Sequence, residues 1–314
     1  MWRYVLRRVL EVVPTTFGIL LLTFVLFNVV SGGSPALTIL GKGASEKSVA
    51  DFNRKYGYDK PLLVGDGDFF DSQFFNFLKS TAKGDLGYST EQDEPVIDIL
   101  KRGVGPSLSL TVPILAIGIA FALFLALLSA AYRGRPHDKV ILFISAALMS
   151  VNYVVWVLAG QFLLAYKAGW FPIWGYGGPE YLVLPVMIGV LSSLGMDVRF
   201  FRTAILDELY KPYVLTARAK GLSRAVIMTR HVLRNALIPI VTYVSLSIPY
   251  LFTGSLLLES FFGIPGLGSV SINAIQSADL AVVRAVVILG ALLYQFVNLV
   301  TDLIYAFLDP RVAL

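Results

Sequence analysis

Residues 213–239 read YVLTARAKGLSRAVIMTRHVLRNALIP, and their reading decides the fold of the chain. The stretch carries Arg218, Lys220, Arg224, Arg230 and Arg234 and lies between two long apolar runs. A basic segment between membrane spans is a cytoplasmic loop, because Lys and Arg accumulate on that side. Pro212, just ahead of it, favours a helix start. Gly221 adopts positive φ at little steric cost and ends that helix. Ser223 then caps the next one. The expectation is helix, sharp turn, helix. Thr216, Ala217 and Gly221 are small, and small residues let a helix seat closely against another surface. The competing reading is an interfacial helix with its basic side chains on lipid phosphates.

Composition supports a membrane protein. The 314 residues are 56% apolar and only 15% charged, with mean hydropathy +0.71, against roughly 25% charged in soluble domains. The formal net charge of +5 fits cytoplasmic loops rather than nucleic-acid binding. There is no Cys, which excludes a disulfide framework and thiolate chemistry. The basic start, from Met1 to Arg8, leads into an apolar run over 9–30. That run is too long for a signal-peptide core and lacks a convincing cleavage site, so it is expected to stay as the first span.

Six segments approach the 20 or so apolar residues that a span needs: 9–30, 106–132, 140–166, 182–200, 237–258 and 284–308. Basic residues at Arg3, Arg7 and Arg8, at Arg133, Arg135 and Lys139, in the 213–239 segment and at Arg311 all fall on one side of a six-span chain. Both termini are therefore expected in the cytoplasm. The opposite side receives 31–105, 167–181 and 259–283. Trp170, Trp174, Tyr176 and Tyr181 suit an outer aromatic belt. Residues 31–105 carry 11 acidic and 9 basic residues, without cytoplasmic bias, and are expected to form a small extracytoplasmic subdomain of short helices and turns. The organisation expected is 1–30 as tail and first span, 31–105 as subdomain, and 106–314 as a five-helix core whose cytoplasmic loop covers about 205–236.

Charges inside spans mark proton and ion pathways. None occurs between about Ser107 and Tyr132, Val140 and Tyr166, or Leu237 and Leu258. Glu11 lies near the cytoplasmic end of span one. Asp302 lies about two turns from the end of span six and reads as a carboxylate near water. This scarcity opposes a proton-coupled transporter and suits one powered from outside the membrane by a nucleotide.

The loop resembles the EAA loop through which ABC importer permeases grip their ATPase, in the form found in dipeptide and oligopeptide permeases. Thr216, Ala217 and Gly221 match its pattern, Leu233-Arg234 matches its closing position, and Leu215 stands where relatives carry a charged residue. Tyr58-Asp59-Lys60-Pro61-Leu62, Gly84-Asp85-Leu86-Gly87-Tyr88-Ser89 and Pro95-Val96 resemble landmarks of the large first external loop. Gly169-Trp170-Phe171-Pro172 and Gly175-Tyr176-Gly177 resemble the second. Leu258-Glu259-Ser260 and Pro265-Gly266-Leu267-Gly268 resemble the last, and the tail from Asn298 to Tyr305 and Asp309-Pro310-Arg311 also fits. Thr253-Gly254-Ser255-Leu256-Leu257 is similar to a branch linked to microcin and peptide uptake. On these residues the chain is identified as a member of the peptide/nickel ABC permease family, B-type subunit.

The resemblance implies an all-α membrane protein of type I importer architecture in the inner membrane of a prokaryote. It implies a sister permease in a heterodimer, two ATPase subunits that bind ATP and Mg, and an extracytoplasmic substrate-binding protein. It assigns ATPase coupling to Leu215, Thr216, Ala217, Arg218, Lys220, Gly221, Leu222 and Ser223. It places Glu259, Phe262, Pro265, Gly266 and Gly268 near the binding protein or substrate. The implied cargo is di- or oligopeptides, with nickel chelates or glutathione as alternatives, and the chain itself is expected to be non-catalytic.

Other motifs carry less. Gly65-Asp66-Gly67-Asp68 holds the string of intramembrane aspartyl proteases, but in a polar loop. Gly41-Lys42-Gly43 lacks the glycine spacing and the following Ser or Thr of a P-loop, so no nucleotide or other cofactor is expected in this chain. His137 and His231 are the only histidines and are too few for a metal cluster. A membrane-embedded hydrolase would need a carboxylate pair or a Ser/His set within spans, and neither is present.

Overall fold

In lipid, a helix bonds every backbone N–H and C=O within its own segment, so long apolar runs become helices. The computed structural model describes residues 2–30, 43–56, 59–63, 71–248 and 255–308, with side chains over 10–28, 43–54, 59–63, 71–248 and 255–301. The expectations placed on Gly41-Lys42, Tyr58, Gly65 to Asp68, Thr253-Gly254 and Asp309 to Arg311, and on the Asp302 side chain, fall outside these residues. Among the described residues the chain is helical, with one isolated antiparallel bridge between Tyr88 and Pro95. Leu10–Asn28, Val96–Ala131, Pro179–Leu209 and Leu280–Thr301 are each long and apolar enough to cross a membrane, and two bent helix pairs, Pro136–Ser150 with Tyr153–Lys167 and Leu256–Phe262 with Leu267–Gln276, bring the number to as many as six. The second pair falls mostly in 259–283, a segment expected outside the membrane, and the expected span 237–258 is not among the six.

One compact unit comprises Met1–Val104 with Val270–Leu314. Within it, Trp2–Phe24 packs along Leu280–Leu308, and Gln295 Nε2 donates to Thr15 Oγ1 at 2.8 Å. Phe24 and Phe74 are fully buried, with ring centroids 5.3 Å apart. Burying a ring such as Phe74 contributes about 1.5–3 kcal/mol. Residues 31–105 do contain short helices, Glu46–Tyr56 and Gln73–Ala82. Asp279 is buried and accepts from Ser89 Oγ at 2.5 Å and from Val282 N–H at 3.3 Å. It thus ties the loop around Ser89 to the start of the last helix.

The second unit is Gly105–Ser269. Its core falls into two clusters. One gathers Ala122, Ala126, Ala130, Phe201, Val214 and Ile240; the other gathers Leu110, Leu184, Ile188, Leu258 and Phe262. The helices Pro136–Ser150 and Pro179–Leu209 pack closely. Gly195 permits this, since a Cβ there would lie 2.5 Å from the backbone carbonyl oxygen of Ser145.

Two expected spans differ. Segment 140–166 is not one straight rod: Pro136–Ser150 and Tyr153–Lys167 are bent by 90°. Val151 is extended, and Asn152 restarts the helix by accepting from Val154 N–H at 2.9 Å. Segment 237–258 begins earlier, as Arg224–Val226 continues through a wide turn, Ile227–Val232, into Leu233–Ser245. That helix ends in a turn where Ser247 N–H donates to the Val244 carbonyl at 2.9 Å. Pro249 follows in the sequence, and the residue before a proline is steered away from helix.

Candidate functional site

The basic loop has the form its residues dictate. Pro212 occupies the first turn of Pro212–Ala219, where its missing N–H is harmless. Gly221 has φ +74°. Leu222 N–H donates to Ala217 O at 3.3 Å and Gly221 N–H to Arg218 O at 2.9 Å, a left-handed helix end that satisfies the last carbonyls. Ser223 Oγ accepts from Val226 N–H at 3.4 Å. Val214 and Ala217 face inward and are buried, so Ala217 packs against the chain's own core. Leu215, Thr216, Arg218, Lys220, Gly221, Leu222 and Ser223 are exposed, with Leu215 at 62%. Leu233 is half-buried and Arg234 exposed.

The flanks of this loop are fixed by charge. Asp138, buried at the start of Pro136–Ser150, accepts from Arg202 Nε and Nη2 at 3.0 Å each, from Ser129 Oγ at 2.5 Å and from Gly134 N–H at 2.8 Å. Arg133 stacks 5.1 Å from the Tyr210 ring centroid. Tyr213 donates to Glu208 Oε2 at 2.7 Å, and partial burial pushes its phenol pKa up.

The hairpin around Glu259 is a packed knot. Glu259 is 0% exposed and its carboxylate accepts four hydrogen bonds. Oε1 takes Ser107 Oγ at 2.9 Å and Ser255 N–H at 3.0 Å. Oε2 takes Gly268 N–H at 2.6 Å and Ser269 N–H at 3.1 Å. Ser107 Oγ in turn accepts from Leu267 N–H at 2.7 Å. Phe262, Gly266 and Gly268 are buried too, and of the external set only Pro265 is exposed. Glu259, Phe262, Gly266 and Gly268 therefore shape the hairpin from inside, while Pro265 is on its surface. Trp170, Trp174 and Tyr176 are exposed.

Sequence inspection overlooked a third feature. A cavity of about 340 Å³ opens within the second unit, lined by residues including Ile114, Leu115, Tyr243, Leu258 and Asp197. Asp197 lies in the expected fourth span and accepts from Tyr243 OH at 2.8 Å. An acidic residue inside 182–200 was the available signal, and it weakens the case against proton coupling that rested on scarce intramembrane charge.

A largely helical chain with four to six spans, a structured basic loop and a cavity within the helices is a membrane transport subunit. The chain belongs to the family described as binding-protein-dependent transport system inner membrane component, which matches residues 118–314. The companion N-terminal model of such membrane components matches residues 1–111. It is 30% identical to the glutathione transport system permease protein GsiC of Shigella flexneri serotype 5b (strain 8401), over 99% of both chains. It has the same identity and coverage to the protein of that name from Escherichia coli (strain K12). The protein is thus a non-catalytic ABC importer permease subunit of the inner membrane, working with an ATPase and a substrate-binding protein, and family membership places its power source outside the chain.

Proposed function

We propose that this permease carries short peptides, glutathione among them, and that Pro212–Ala219 is the element through which ATP drives it. The observation that carries the coupling role is Leu215, an apolar side chain 62% exposed amid Arg218 and Lys220 on a helix whose other face is locked into the core by Val214 and Ala217. A rigid helix with an outward apolar knob and a basic rim fits a groove on a partner ATPase. The loop does no chemistry. It transmits a bias between inward- and outward-facing states, with the loop and both termini in the cytoplasm.

The peptide reading draws on two facts. The relatives carry the name glutathione transport system permease, and glutathione is a tripeptide. The cavity, at about 340 Å³, falls at the lower end of small-ligand pockets. In this account a sister permease supplies the other half of the pathway, two ATPase subunits bind ATP and Mg, and a binding protein delivers cargo from outside. ATP closure of the ATPase pair moves the docked loops and opens the pathway outward; hydrolysis resets it. The test is ATP-driven uptake into proteoliposomes holding the complete transporter, with radiolabelled dialanine, glutathione and nickel chelate offered separately. Uptake of dialanine or glutathione is the expected result; uptake of nickel chelate alone overturns the cargo reading.

A further inference from the structure

The cavity in the second unit holds a polar patch around Asp197 that favours one kind of chemical group. Ser192 Oγ donates to the Gly189 carbonyl at 2.8 Å and Ser193 Oγ to the Val190 carbonyl at 3.4 Å. Tyr243 donates to Asp197 at 2.8 Å. A hydroxyl has one proton to give, and here those protons are committed to acceptors of the protein itself. What these three hydroxyls offer the cavity is lone pairs, beside a carboxylate. Among the described residues no Lys or Arg forms an ion pair with Asp197. The rest of the lining is mixed: Ile114, Leu115 and Leu258 are apolar, and Thr111, Tyr153, Ser247 and Ser255 carry hydroxyls. An acceptor-rich patch around a carboxylate with no ion-pair partner among the described residues disfavours a cargo carboxylate and favours a group with donors and a positive charge. An ionisable residue within a span is retained where it does work, and a primary ammonium, with three donors and no acceptor, is the complement of this site.

We propose that the Asp197 cavity is a subsite of the transport pathway that binds the primary ammonium of the passing cargo. The proposal rests on the peptide reading above, since dialanine and glutathione both carry an α-ammonium. Asp197 provides the countercharge, and the hydroxyl oxygens of Ser192 and Ser193 accept the remaining ammonium protons. The apolar part of the lining takes the side chain that follows. The hold is brief because a site on a pathway must also release.

The test compares wild-type, Asp197→Asn and Asp197→Glu in the complete transporter in proteoliposomes. ATP-driven uptake of radiolabelled dialanine is normalised to the assembled complex recovered by co-purification. A charge-assisted hydrogen bond lost from such a site changes affinity by about tenfold or more. Asp197→Asn is therefore expected to raise the KM for dialanine about tenfold, with Asp197→Glu restoring most of it. An unchanged KM in Asp197→Asn overturns the subsite and leaves the peptide reading standing. Equal loss in both variants also overturns it, because the residue then matters for its shape and not for its charge. No dialanine or glutathione uptake by the wild type overturns the cargo reading and this proposal with it.

Discussion

Arg202 and Asp138 face each other with two parallel hydrogen bonds, Nε to Oδ1 and Nη2 to Oδ2, each 3.0 Å long. Asp138 begins Pro136–Ser150 and Arg202 lies in the last third of Pro179–Leu209. Their side chains are 5% and 16% exposed. Planar, bidentate pairing of this kind is the strong form of an ion pair. It clamps the start of Pro136–Ser150 to the last third of Pro179–Leu209, the helix that leads into the basic loop, so the loop is presented on a rigid base.

Removing one member of a buried pair leaves an uncompensated charge and costs about 3–5 kcal/mol. Arg202→Ala and Asp138→Ala are each expected to lower the thermal midpoint of the purified protein sharply. The double variant should lose less than the sum of the two. Additive losses, measured by thermal unfolding in detergent, would show that the two side chains do not act as a unit.

Glu259 gives a sharper test of the hairpin it anchors. Glu259→Gln keeps the shape but turns an amide NH2 toward one of two donor pairs, Ser107 Oγ and Ser255 N–H or Gly268 N–H and Ser269 N–H. A buried donor left facing donors costs about 1–3 kcal/mol. The variant is expected to unfold at lower temperature and to expose the hairpin to protease in spheroplasts or open membranes. Wild-type stability in Glu259→Gln would contradict the burial described for this carboxylate.

Gly195→Val tests the close approach of two helices. The added atoms would start 2.5 Å from the Ser145 carbonyl oxygen, and overpacking of this kind costs about 1–3 kcal/mol. Reduced yield of folded protein on size-exclusion chromatography is the expected outcome, with Gly195→Ala affected less.

Gly221 differs, because nothing lies within 4 Å of a Cβ built there and only its φ of +74° resists substitution. Gly221→Trp is expected to cost about 1–2 kcal/mol of backbone strain, to leave the protein inserted, and to reduce substrate-stimulated ATPase activity. Normal stimulation in that variant would count against coupling through this turn.

The loop was legible in the sequence because its signals are local. Pro212, Gly221 and Ser223 act through their own backbone chemistry, and the helix, left-handed stop and cap follow from those three positions. The bend at Val151 and Asn152 was not legible from hydropathy, since both half-helices are apolar and the average does not register a change of direction; Asn152 as a cap was the only local sign. Burial was not legible either. Glu259 reads as a loop carboxylate available to a partner, but it is enclosed by donors from Ser107, some 150 positions earlier in the chain. Asp197 is visible as a charge within an apolar span, but its place on a cavity depends on Tyr243 and Leu258, which only the tertiary fold brings near. Ala217 was read as part of an outward surface, and helical periodicity instead sets it beside Val214 on the buried side.

The most direct measurement is affinity purification of this chain from its native membrane, as wild type and as Leu215→Ala, with the co-purifying proteins identified by mass spectrometry. Leu215 is exposed, so the substitution should not disturb the fold. The account predicts that the wild type brings a second permease and one or two P-loop ATPases, and that Leu215→Ala, which removes the apolar knob, keeps the permease but loses most of the ATPase. Retention of the ATPase by Leu215→Ala at wild-type levels, or its absence from the wild type in the mildest detergent, would contradict the role given to Pro212–Ala219.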